Sequence, residues 1–264
     1  MRLFAAALMA VVLLTPAARA FEAPAGDAGS VLERPRQRVQ TADFRASGYI
    51  VRVSAAGART SYPITLKAHW FPGVLRLLCE IGATGQGSGE ARIHILLEMR
   101  PNGQSSIQIA HPGDKTPAAL PFDRWSEGPV AELGSVFSYE DFLEPQYFWP
   151  GQTVTGNTKY GARLCDLLKS RPGPSERTHY TEVQTWLDHS IGYPVYVEKT
   201  IKATGMVKEF TYFGLRQNGG VWSASQVEGK IRGQAGSTLL IIDRGSTKAN
   251  LELRDFSPEQ LTRF

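Results

Sequence analysis

The amino-acid sequence predicts an all-β-dominated fold, a curved antiparallel sheet of about eleven strands covered by short helices and a lid. Three observations predict it. Apolar and polar residues alternate over long runs on both sides of residue 122, the pattern of strands with one dry face. Short turn signals separate these runs and join neighbours antiparallel. Between the two sets of runs, residues 122–149 hold Phe122, Trp125, Phe137, Tyr139, Phe142, Tyr147, Phe148 and Trp149. Those aromatics follow neither a period of two nor one of 3.6, so the segment reads as an irregular insert lying across the sheet.

From the start of the chain, Met1 to Ala20 has a basic residue at Arg2, an apolar run from Leu3 to Leu14 and Ala18-Arg19-Ala20 as a small-x-small site. This is the pattern of a cleaved signal peptide, with too short an apolar run to span a membrane. Phe21 follows in place of the cysteine that a lipoprotein would carry there. Residues 21–264 then form one working domain. Phe21 to Gly29 is rich in Pro, Gly and Ala, and Ser30 to Gln40 suits a short helix that Pro35 limits or kinks.

Strands are expected around Tyr49–Val53 and Tyr62–Trp70, then after Pro72-Gly73 at Leu75–Ile81, at Ile93–Met99, and after Asn102-Gly103 at Ile107–Ile109. Lys67, His69, Glu80, His94 and Gln108 fall on the opposite, wet face. Beyond the insert, strands are expected at Thr153–Thr155, Ala162–Lys169 and Thr181–Asp188. A meander of Tyr193–Lys202, Val207–Gln217, Val221–Ile231 and Thr238–Asp243 follows, and a last strand near Ala249–Leu253. Ser257-Pro258 caps a short terminal helix. A sheet of this size curls, and something apolar must fill its concave side.

Charge and chemistry narrow the function. Without Arg2 and Arg19 the chain has 27 basic and 25 acidic side chains, a balance that argues against nucleic-acid binding. The insert itself is acidic, with Asp123, Glu127, Glu132, Glu140, Asp141 and Glu144 facing only Arg124. Cys79 and Cys165 either form a bridge, which would stabilise by roughly 4–5 kcal/mol, or are buried thiols. Gly85-Gln86-Gly87-Ser88-Gly89 has its serine out of register for a nucleophile elbow, and the Gly82 to Gly89 loop leads into a strand where a phosphate cradle needs a helix. His69, His94, His111, His179 and His189 lack metal-ligand spacing and read as solvated strand residues. Asp188-His189-Ser190 reads as a polar strand end. Glu140 and Asp141 suit the start of a helical turn, with Ser138 as cap and Pro145 as stop, better than an acid/base pair. No enzyme, metal or cofactor is expected.

The order of motifs resembles the LolA-like outer-membrane lipoprotein-sorting family. The matching segments are Gly134-Ser135-Val136-Phe137-Ser138-Tyr139-Glu140-Asp141-Phe142, Tyr193-Pro194-Val195 and Gly219-Gly220-Val221-Trp222, with a looser likeness at Phe71-Pro72-Gly73-Val74-Leu75-Arg76. The resemblance implies an incomplete antiparallel β-barrel in the periplasm that shelters acyl chains of lipids or lipoproteins without covalent chemistry. It also implies an inner-membrane donor and an outer-membrane acceptor. The expected cavity wall is Ile64, Leu66, Trp70, Leu75, Leu77, Ile93, Ile95, Ile107 and Ile109; the expected lid is Phe137, Tyr139 and Phe142. The other reading of the scaffold is a periplasmic sensor or adaptor that binds a membrane-protein partner.

Overall fold

A computed structural model describes residues 27–82, 91–101, 103–129 and 136–264. The signal-peptide segment, the Gly82 to Gly89 loop beyond Gly82, Asn102 of the Asn102-Gly103 turn, and Glu132, Gly134 and Ser135 of the insert lie outside the described residues. Helix α1 (Ala28–Gln40) opens the fold, with the Asp27 carboxylate accepting from the Gly29 N–H at its start. It runs through Pro35 because Leu32, Pro35 and Val39 are buried together on one side. That shared burial offsets the one backbone hydrogen bond proline removes.

Strands β1 (Asp43–Val53), β2 (Arg59–Phe71), β3 (Val74–Gly82), β4 (Ala91–Met99), β5 (Ser106–Ala110) and β6 (Ala118–Ala119) run outward as a meander. After the insert come β7 (Gly151–Tyr160), β8 (Arg163–Arg171), β9 (Tyr180–Asp188), β10 (Pro194–Ile201) and β11 (Val207–Phe213). The set is completed by β12 (Arg216–Asn218), β13 (Val221–Ser223), β14 (Gln226–Ile231) and β15 (Ser237–Ser246). Thirteen of them form one curved antiparallel sheet in the order β6-β5-β4-β3-β2-β1-β15-β14-β11-β10-β9-β8-β7. The sheet is not closed: β6 and β7 are its two edges.

The two meanders join where β1 pairs with β15, Ile50 opposite Leu240. The register shifts there beside Gly48, at which a Cβ would lie 1.8 Å from the Ile241 carbonyl oxygen. Gly48→Ala therefore has to spread the central pair of strands. A loss of about 1–3 kcal/mol is expected in urea unfolding, on the scale of overpacked sites; unchanged stability would contradict this account of the junction.

Three expectations need correction. The stretches Val207–Gln217 and Val221–Ile231 are not two unbroken strands: the chain leaves the sheet at Gly214 and re-enters at Gln226, and β12 and β13 form a separate hairpin between them. Gly214 has φ +60°, and a Cβ there would meet the Ser225 hydroxyl at 2.0 Å. The segment near Ala249–Leu253 is no strand. Asp43 takes its N–H groups, the side chain accepting from Asn250 and Leu251 at 2.9 and 3.1 Å, and Asn250 turns with φ 51°. Finally, the wet face is dry over β3 and β4. Leu78 and Leu96 are buried there under Phe256, Leu261 and helix α2 (Pro258–Leu261). His94, expected in solvent, is buried with them, stacked on Phe264 and 2.7 Å from the Leu261 carbonyl.

Candidate functional site

On the concave side, the half over β2 to β5 is filled. Ile64, Ile93, Ile95, Ile107 and Ile109 pack against Leu32, Val39, Leu120, Trp125 and Tyr147, contributed by α1 and the chain that follows β6. Trp70 is half-buried and stacks on Phe148. These residues form a packed core.

Beside this core, under the joined centre of the sheet, lies a cavity of about 750 Å³, within the usual range for a small-molecule site. Phe44, Ala46, Leu66, Ala68, Leu75 and Leu77 from β1 to β3 line it, as do Leu240 and Ile242 from β15, Val227 from β14 and Phe210 from β11. The β12–β13 hairpin borders it with Gln217, Val221 and Trp222, and the Tyr193 hydroxyl accepts from the Ala224 N–H where that hairpin rejoins the sheet. Of the nine residues expected in the wall, Leu66, Leu75 and Leu77 border this space. Of the three expected in the lid, Phe137 and Phe142 border it, while Tyr139 is buried in the core.

The insert is clamped to the sheet by two adjacent acids that pull in different directions. Glu140 Oε2 accepts from Thr178 Oγ1 at 2.9 Å and the His179 N–H at 3.2 Å, fixing the insert to the entry of β9. Asp141 starts the turn Tyr139–Phe142 by accepting from the Ser138 N–H and hydroxyl at 2.9 and 2.8 Å. It also accepts from the Tyr180 hydroxyl at 2.7 Å, Lys199 Nζ at 2.9 Å and Lys208 Nζ at 2.8 Å. Burial alone would raise the Asp141 pKa; the two ammonium groups more than offset that and hold it well below the ordinary value of 3.8. A carboxylate so held neither gives nor takes a proton near neutral pH, so Asp141 acts as a clamp.

A second clamp ties α1 to the insert: Arg38 meets Glu144 at 2.8 Å and lies 4.8 Å over the Tyr193 ring, while Arg36 Nε donates to the Tyr147 carbonyl at 2.7 Å. Cys79 and Cys165 are both buried free thiols in the structure, and burial pushes both pKa values up. Among the described residues no group of three or more His, Cys, Asp or Glu is arranged to hold a metal. Among them, too, no helix is long and apolar enough to cross a membrane.

Sequence reasoning missed Lys199 and Lys208, yet the signal was there. Lys199 shares the inward parity of Val195 and Val197, Lys208 that of Phe210, and the turn at Thr204-Gly205 places the two lysines directly opposite each other. Like charges so placed need a countercharge.

A family model described as that of an uncharacterized protein matches residues 130–263, about half of the chain. Solved structures match almost all of it. An outer membrane lipoprotein-sorting protein domain from Vibrio parahaemolyticus superposes with a TM-score of 0.76 at 20% identity, covering 90% of this chain and 100% of that one. The chain belongs to the family of that uncharacterized-protein model, and its fold is LolA-like. The LolA-like fold recurs in a DUF1329 family protein from Desulfovibrio piger, with a TM-score of 0.73, 14% identity and coverage of 89% and 97%. A LolA superfamily protein from Nitrosomonas europaea also has it, with a TM-score of 0.63, 14% identity and coverage of 89% and 99%. No curated protein matches the sequence.

Proposed function

We propose that this protein is a periplasmic, non-enzymatic carrier that binds the acyl chains of a lipid or lipoprotein and moves them toward the outer membrane. The observation that carries this reading is the 750 Å³ cavity walled by Leu66, Leu75, Leu77, Leu240 and Phe142 and bordered by the β12–β13 hairpin. Each methylene sheltered there contributes about 0.8 kcal/mol, so part of one chain is enough for micromolar binding. In this reading residues 1–20 are removed on export and residues 21–264 act as one domain. The cargo is received from an inner-membrane donor and surrendered to an outer-membrane acceptor.

Native mass spectrometry of the mature protein taken from periplasm tests the proposal. A co-purifying mass that solvent extraction identifies as an acyl lipid or lipoprotein is the expected result. A clean unliganded mass that stays clean after incubation with lipid vesicles would sink it and leave the sensor or adaptor reading.

A further inference from the structure

Beside the cavity stand two buried ammonium groups that share one ion-paired carboxylate. Lys199 and Lys208 stand opposite each other on β10 and β11, and both bond Asp141. Among the described residues, Asp141 is the only carboxylate in an ion pair with either. Two ammonium groups thus share one carboxylate, and their side chains are only 7% and 4% exposed, with that of Asp141 at 0%. The aromatic faces of Tyr180 and Phe210, 5.2 and 5.1 Å from Lys199 Nζ, soften this excess without neutralising it.

The other acids that border the cavity are committed or remote. Glu144 is taken by Arg38, Asp43 by His69 and two backbone N–H groups, and Asp243 is exposed to solvent, while Glu140, buried next to Asp141, is held by Thr178 and His179. Lys199 itself borders the cavity. A buried charge needs a partner, and Lys199 is the one of the two lysines that borders the ligand space.

We infer that the ligand of this cavity is an anionic amphiphile whose carboxylate or phosphate sits beside Lys199. This rests on the acyl-chain reading of the cavity and adds the chemistry of the head group to it. The apolar chain then lies along Leu240, Phe142 and the β2–β3 wall, while the head supplies the missing countercharge.

The test is equilibrium binding of three single-chain probes to the mature protein at pH 7: oleate, oleoyl lysophosphatidic acid and uncharged monoolein. At least one anionic probe is expected to bind about tenfold tighter than monoolein or better, the scale of one charge pair in a partly dry site. Comparing oleate with the lysophosphatidic acid separates carboxylate from phosphate. Lys199→Met is expected to bring the anionic and neutral affinities together. Lys208→Met, which also leaves one ammonium to one carboxylate, should do the same if the first variant is unstable. Equal affinities for all three probes on the wild-type protein would overturn the head-group inference and leave the acyl-chain reading standing. Displacement of the anionic probes by inorganic phosphate alone would overturn it in favour of a free-anion site, and binding of none of the probes would overturn both.

Discussion

Asp141→Asn is expected to lower the unfolding free energy by about 3–5 kcal/mol, the cost of breaking a buried ion pair and leaving its partners uncompensated. The substitution strands Lys199 against Lys208 across one rung of the sheet and releases the insert from β10 and β11 together. Urea denaturation of the two proteins measures it. A loss under about 1 kcal/mol, typical of exposed ion pairs, would mean that water reaches the lysines and that the clamp is not the anchor described here. The same residue gives a pH signature. Because the folded-state pKa of Asp141 is depressed below 3.8, the unfolded chain binds more protons than the folded one in the interval between the two values. Its contribution is complete above that ordinary value and is lost as pH falls through the folded one. The wild-type protein should therefore lose stability below about pH 4 more steeply than Asp141→Asn, which keeps only the slope of the other depressed carboxylates such as Asp188.

The second large effect separates packed core from cavity. Ile95 is fully buried among the residues that α1 and the insert cover. Ile95→Ala is expected to cost 2–5 kcal/mol, as at other packed sites, and to leave acyl-probe affinity unchanged. Leu240 borders the cavity and is only partly buried. Leu240→Trp should keep the fold, with stability changed by about 1 kcal/mol or less, and weaken acyl-probe binding about tenfold or more, since each methylene kept out forfeits about 0.8 kcal/mol. If Ile95→Ala were nearly neutral and Leu240→Trp strongly destabilising, the open and filled regions would be the reverse of those described.

These two positions also show what could be read from the sequence. Alternation placed Ile64, Ile95 and Leu66 on one dry face, and the structure has them there. Alternation says which way a side chain points, not what lies over it. Leu32, Trp125 and Tyr147 arrive from distant parts of the chain to fill the space above Ile95, while Leu66 is left facing the cavity. The pairing of β1 with β15 is equally invisible locally, because it joins residues nearly two hundred positions apart, such as Ile50 and Leu240. Alternation reads Val221–Ile231 as one strand of the meander, with Trp222 on it. The break at Gly214 and Ser225 that carries Trp222 to the cavity depends on a tertiary close approach. By contrast, Ser257-Pro258 and Ser138 to Asp141 carry their signals in a few consecutive residues, and both turns form there, the first with Pro258 leading and no capping bond from Ser257, the second with Asp141 accepting from Ser138.

The most direct measurement is photo-crosslinking of the mature protein with an acyl probe bearing a diazirine near the chain end, followed by peptide mapping. Adducts are expected on Leu240, Ile242, Trp222 or Phe142, and fewer in Leu240→Trp. Crosslinks confined to the convex face, or spread evenly over the surface and unaffected by that substitution, would contradict the acyl-chain reading.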